Sequence, residues 1–250
     1  LAGKLVRGVG SENIDYRLRN AEFTAAQGVQ WLGMPIATLS NLQSALVVGS
    51  NLRKDHPLFA QRIRQAAKKG CKVFSINDRV YDWALPVAAS VVAAGDWAQA
   101  LADVAAAVAE AKDVTAPVTG QAHDEAKAIA AALLAGEQKA VLLGNAAAHH
   151  AQASTLLALA NWIAEQTGAT AGYLTEAANT VGAQWVKAVP AAGGMNAAQM
   201  ISGNVKAAIL LNVEHRCDVR VRHLTRQTGF TQKSFSRLRT RQHLREKHLD

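Results

Sequence analysis

The stretch SALVVGSNLRKDHPLFAQRIRQAAKKGCKVFSIND, residues 44–78, constrains this chain more than any other. A continuous apolar run at 45–48 ends in Gly49-Ser50-Asn51. A segment of helical period follows, and a second apolar run at 73–76 closes on Asn77-Asp78. Two short apolar runs on either side of an amphipathic helix read as a βαβ unit. Strands that are apolar without alternation are buried on both faces, which requires a parallel sheet covered by helices. The expected fold class is therefore α/β, with Rossmann-like parallel sheets flanked by helices.

The crossover helix is legible residue by residue. Asp55 or His56 is placed to cap it, and Pro57 falls in the first turn, where its missing N–H costs nothing. Leu58, Phe59, Ile63, Ala66 and Ala67 are expected on the buried stripe, with Arg53, Arg62, Arg64, Lys68 and Lys69 left in water. Lys68 and Lys69 complement the negative end of the helix dipole, and Gly70 supplies a left-handed stop.

Upstream, Gly8-Val9-Gly10 lacks the third glycine of a dinucleotide fingerprint and leads into no clear helix, so it reads as a loop. Residues 11–19 are expected to form a short helix, and 38–42 a helical turn entering the first strand. Downstream, a strand is expected at 89–93. Asp96 and Gln99 then have capping-box spacing for an alanine-rich helix over 98–111. Residues 115–120, with Pro117, form a linker before a helix at 124–134 that stops at Gly136.

The opening pattern then returns. A strand at 140–143 turns at Gly144-Asn145 into a helix over 149–166, with Leu156, Leu157, Ala160 and Ile163 buried and Gly168 as its stop. Tyr173-Leu174 belong to a further strand, and 176–200 is loop-rich, expected to be ordered against a partner or the domain itself. Residues 205–211 read as a last apolar strand ending Asn212-Val213-Glu214. The carboxyl ends VVGSN, LLGN and LLNVE would line the crevice in which parallel sheets bind ligands. Three segments result: an α/β segment at 1–115 containing the unit 44–78, a second α/β segment at 121–214, and a tail at 215–250.

Charge separates that tail from the rest. The net charge is +8, yet residues 215–250 hold ten Lys/Arg against three Asp/Glu, and the first 214 hold seventeen against sixteen. The tail has no alanine and four of the eight histidines. Such a break in composition is expected of a frameshifted or misassembled reading frame, and the tail is expected to be irregular or disordered. The rival is a basic arm for nucleic acid or acidic lipid, with Phe230 and Phe235 among its arginines. No apolar run reaches the length of a membrane span. Cys71 and Cys217 lie too far apart for a local thiolate metal site and suit a reducing compartment. The opening LAGKLVRGVG, without an initiator methionine, is expected of a piece of a longer chain.

GSENIDYRLRN, LVVGSNLRKDHPLFAQRIRQAAKKG, VLLGNAAAHH, LTEAANTVGA and GGMNAAQM, in that order, resemble the C-terminal part of the large iron–sulfur subunit of bacterial NADH-quinone oxidoreductases, the respiratory complex I. In that family the C-terminal region of the subunit has the molybdopterin-oxidoreductase fold. The resemblance implies a role in the peripheral arm, in electron transfer from NADH to quinone, at the cytoplasmic face of the bacterial inner membrane and without membrane insertion. Its partners would be other peripheral-arm subunits, and nucleic acid is not expected. The iron–sulfur clusters would sit on cysteine-rich segments upstream of this region, so no cofactor is expected here. In related molybdenum enzymes the corresponding strand ends cradle a pterin dinucleotide. By that analogy Gly49, Ser50, Asn51, Gly144 and Asn145 are the candidates for a relic of the site, the complex I branch keeping the fold without the cofactor.

No catalytic or metal constellation emerges from the remaining residues. His149 and His150, adjacent on the expected helix, would point about 100° apart and could not easily share a metal. His215, His223, His243 and His248 lack thiolate or carboxylate partners at regular spacing. Asp124-Glu125 suit a helix first turn, and Asp15, Arg17 and Arg19 an interface or salt-bridge cluster. Ser11, Ser50 and Ser202 have no nucleophile-elbow context. Trp31, Trp83, Trp97, Trp162 and Trp185 read as packing anchors. Three functional readings follow: a structural portion of a respiratory electron-transfer subunit, a molybdopterin-dinucleotide-binding oxidoreductase fragment, and a nucleic-acid-binding module acting through the tail.

Overall fold

The computed structural model describes residues 1–17, 31–175, 177, 179–191, 193–203 and 205–211. Its strands are β1 (Ser44–Val48), β2 (Lys72–Asn77), β3 (Ala89–Val92), β4 (Lys139–Leu143) and β5 (Thr170–Tyr173). They form one parallel sheet in the order β3-β2-β1-β4-β5, as the apolar strand runs require. The sequence segments 1–115 and 121–214 both contribute to this sheet. They are joined in the register that sets Ser44 beside Lys139 and Val48 beside Leu143.

The helices are α1 (Ala2–Gly8), α2 (Leu52–Asp55), α3 (Pro57–Lys68), α4 (Trp97–Lys112), α5 (Asp124–Leu134), α6 (Asn145–Ala148), α7 (Ala153–Thr167), α8 (Thr180–Trp185) and α9 (Ala197–Ser202). Side chains alternate across a strand, and the two sets from β1 build two cores. Leu46 and Val48, with Phe74, Ile76, Val141 and Leu143, pack beneath α4, α5 and α7. Ala45 and Val47, with Val73, Ala140 and Leu142, pack on α3 and a 3-10 helix at Ile36–Asn41. Leu46, Val47 and Val48 have no exposed surface, and burying each contributes about 1.5–3 kcal/mol. Alanines predominate in α4 and α5, which lets these two helices lie close together over the sheet.

The helices obey most of their sequence signals. Pro57 occupies the first turn of α3, α5 spans Asp124–Leu134, and Gly70, Gly136 and Gly168 take positive φ beyond their helices. Several expectations are corrected. Leu58 is 76% exposed, because at 100° per residue it lies about 140° around the helix from Ile63. His56 precedes α3 without a side-chain cap, while the Asp55 carboxylate accepts the Asn51 N–H. Asp96 caps α4 by accepting the Gln99 N–H, but the Gln99 side chain donates to Asp103 instead of completing the box. The helix expected over 149–166 is two helices, α6 and α7, so His149 and His150 lie in the break and not on a helix. Residues 11–17 are not helical, and residues 18–19 lie outside the described residues. Trp83 and Trp97 are packing anchors, whereas Trp31 and Trp185 are half or more exposed.

The largest correction is at 205–211, which is not a strand. An apolar run becomes a strand only where a neighbour takes up its backbone N–H and C=O groups, and no ladder reaches these residues. Ile209, Leu210 and Leu211 are instead exposed. The chain divides into a unit over Leu1–Val205 and a second over Lys206–Asp250. Asn212, Val213, Glu214 and the tail at 215–250 lie outside the described residues. The loop-rich passage is held within the first unit. Asn13 and Asp15 accept the Met195 and Ala197 N–H groups, and Arg7 donates to the Lys187 carbonyl.

Candidate functional site

The sheet order reverses between β1 and β4: β2 and β3 lie to one side of β1, β5 to the far side of β4. Ligands of open α/β sheets bind outside the carboxyl ends of the strands at such a switch point. Gly49-Ser50-Asn51 leaves β1 there and Gly144-Asn145 leaves β4, so the structure brings all five sequence candidates together. Of the third expected strand end, LLNVE, Leu210 and Leu211 are exposed and outside any strand, and the last three residues lie outside the described residues.

The two turns close on each other. Gly49 sits at φ +64°, and a Cβ on it would stand 2.5 Å from the Ala147 nitrogen and 2.9 Å from the Trp97 ring. A Cβ on Gly144 would meet Ser50 Cβ and would stand 2.6 Å from the Gly49 carbonyl oxygen. Glycine is needed at both positions because backbone meets backbone across this seam. The indole of Trp97, at the start of α4, stacks on the His150 ring with centroids 5.2 Å apart. His150 Nε2 lies 3.0 Å from the Gly95 carbonyl oxygen. Ala147 of α6 and the Trp97 ring thus pack directly on the turn after β1, with His150 behind Trp97.

The N–H groups of Gly49, Ser50, Asn51 and Gly144 are committed as well. Gly49 N–H donates to the Ile76 carbonyl at 2.9 Å and Gly144 N–H to the Val48 carbonyl at 2.8 Å. Ala146 N–H donates to the Gly49 carbonyl at 2.9 Å. Ser50 N–H donates to Asn77 Oδ1 at 2.9 Å, and Asn51 N–H to Asp55 Oδ2 at 2.8 Å. An anion at a strand–helix turn is held by free N–H groups of this kind. Here the Asp55 carboxylate takes one of them, and its negative charge opposes a phosphate in the same place. Four buried polar atoms at or beside the seam have no partner: Ser50 Oγ, Asn77 Nδ2, Trp97 Nε1 and Asn145 Oδ1. Each would be satisfied by an ordered water or a ligand group.

Asn77, Trp97, Ala147 and His150 are parts of this seam that sequence reasoning did not assign to it. Asn77 closes the second strand of the opening unit, a position visible in the sequence; its neighbour across the sheet was not. The other candidates take structural places. Asp124 and Glu125 occupy the first turn of α5, whose cap is His123 Nδ1 accepting the Ala126 N–H. Asp15 serves the backbone of Arg17 and Ala197. Cys71 is buried, which pushes its thiol up to about 11 and keeps it protonated and unreactive. Among the described residues no group of three or more His, Cys, Asp and Glu could hold a metal ion.

No curated protein matches the chain in sequence. Among solved structures it is similar to a chain of the formyltransferase/hydrolase complex (FhcABCD) from Methylorubrum extorquens, determined with methylofuran. Identity is 17% over 66% of this chain, with a TM-score of 0.42 that carries no functional argument. The chain spans 46% of the length of that one. The family model described as "Molybdopterin oxidoreductase" matches residues 1–232, a span that includes the whole parallel sheet and its switch point. With that coverage, the chain belongs to the molybdopterin oxidoreductase family.

Proposed function

We propose that this chain is a structural portion of a respiratory NADH-quinone oxidoreductase subunit, an α/β scaffold without a redox centre of its own. The observation that carries the scaffold reading is the closed seam at the switch point. A pterin dinucleotide presents phosphates and a broad planar ring. The residues present do not fit it, since the N–H groups of Gly49, Ser50, Asn51 and Gly144 are engaged, Asp55 opposes anions, and Ala147 of α6 and Trp97 pack against Gly49. The assignment to complex I rests on the sequence resemblance over 5–214. On this reading the iron–sulfur clusters belong to the segment preceding the scaffold. Its place is on the peripheral arm at the cytoplasmic face of the bacterial inner membrane. No described helix is long and apolar enough to cross a membrane. Trp185, Val186 and Ile201, each at least 60% exposed, are the apolar side chains for docking on neighbouring subunits.

The test is purification of the affinity-tagged full-length protein from its native membranes. The expected result is co-purification of NADH:quinone oxidoreductase activity, weakened by Trp185→Ser and Ile201→Ser. Recovery of the protein without that activity refutes the assignment. A second reading, a live pterin site, is favoured by the four unpartnered polar atoms around the seam. It requires α6 and Trp97 to withdraw, and it predicts bound molybdenum.

A further inference from the structure

The two faces of the sheet carry opposite charge. Between Arg53 and Lys69 there are six Lys/Arg and one Asp, on the side covered by α3. Between Asp96 and Glu137 there are seven Asp/Glu and two Lys, on the side covered by α4 and α5. The near-neutral body is thus strongly polarised across its thickness, which no overall count reveals.

The α3 side is also organised. Leu58, Gln61, Arg64, Gln65 and Lys68 fall within an arc of about 120° on the helix, roughly opposite Ile63, and extend over about 15 Å. Gln61, Arg64, Gln65 and Lys68 line a shallow depression of about 230 Å³. Ser40 steadies its edge: its hydroxyl donates to Gln65 Oε1 at 3.1 Å and accepts from Arg62 at 3.4 Å. Lys69 Nζ donates to the Ser40 carbonyl at 3.3 Å. Arg53 is already neutralised by Asp82 at 2.8 Å, so Arg64 and Lys68 are the cations presented along the arc.

We propose that this face of α3 docks an acidic protein surface, with Arg64 and Lys68 meeting carboxylates and Leu58 inserting as an apolar anchor. Leu58, 76% exposed on the same arc, favours a protein over a phosphate polymer, because a phosphate backbone offers a leucine nothing. Gln61 and Gln65 hydrogen-bond neutral groups between the charges. The arc also has no aromatic side chain on which bases could stack.

The experiment is zero-length amine-to-carboxylate cross-linking of the full-length protein in its native cells, with linked peptides sequenced. The expected result joins Lys68 Nζ to an Asp or Glu of a different polypeptide. The yield should fall at least about tenfold in Arg64→Glu, and also in Leu58→Asn, which leaves the charge unchanged. Unchanged thermal unfolding of both variants shows that the fold is intact. A Lys68 without a link to another polypeptide, or linked only to this same chain or a second copy of it, overturns the proposal. So does a yield indifferent to both substitutions. Binding of a DNA duplex or of anionic phospholipid vesicles that Arg64→Glu abolishes overturns it in favour of a phosphate ligand.

Discussion

Gly144→Ala reads the closed seam as a free energy. Gly144 has φ −91° and ψ −172°, a conformation open to any residue, so alanine there meets no backbone strain. In an open crevice the substitution would stabilise the protein by about 0.4–1 kcal/mol, because it restricts only the unfolded chain. In the closed seam the new methyl meets Ser50 Cβ and stands 2.6 Å from the Gly49 carbonyl oxygen. The carbonyl is backbone held between β1 and α6 and has no rotamer through which to retreat, so the cost is toward the upper end of overpacking, about 3 kcal/mol. Subtracting the unfolded-state gain leaves a net destabilisation of about 2 kcal/mol, or a fall of about 4–8 °C in Tm for a chain of this size. Urea unfolding followed by circular dichroism measures it, with an unchanged m value excluding a change in denatured-state compactness. Gly8→Ala is the control: nothing lies within 4 Å of its Cβ and its φ is not left-handed, so it should stabilise by about 0.4–1 kcal/mol. A neutral or stabilised Gly144→Ala would refute the closed seam.

Two further outcomes follow from the same neighbourhood. Asn77→Ala removes the acceptor of the buried Ser50 N–H and should cost about 1–3 kcal/mol in the same urea assay; a loss below about 0.5 kcal/mol would mean that water replaces it freely. Tyr173, buried at the end of β5, has its pKa pushed up by burial from 10.0 to about 12. The folded state holds that proton longer than the unfolded chain, so the stabilisation is complete below pH 10 and is lost as pH rises toward 12. Ultraviolet titration should find Tyr173 ionising near pH 12, with unfolding setting in over the same window. A Tyr173→Phe variant with the same alkaline profile would contradict this.

The elements with local signals were legible in the sequence. Continuous apolar runs marked β1, β2 and β4, and capping residues and glycines marked α4, α5 and the end of α7. What failed was what depends on neighbours. Residues 205–211 have the composition of a strand but no partner strand. Leu58 is as apolar as a core residue but faces away from the sheet. His149 and His150 break a helix that periodicity alone continues, because His150 is drawn onto Trp97 from α4. The candidate site was half legible for the same reason. The turns after β1 and β4 could be named, but their contact depends on β4 pairing with β1, more than 90 residues away. Ala147 closes the seam only through that pairing, while Asn77 reaches Ser50 from β2 and Trp97 reaches Gly49 from α4.

The central claim is that these strand ends serve as a scaffold and hold no pterin. Elemental analysis for molybdenum and tungsten, with oxidative fluorescence assay of pterin, on the full-length protein purified from its native source tests it most directly. Neither metal nor pterin is expected in stoichiometric amount. About one metal and two pterins per chain, reduced in step by an Asn77→Ala substitution, would contradict it.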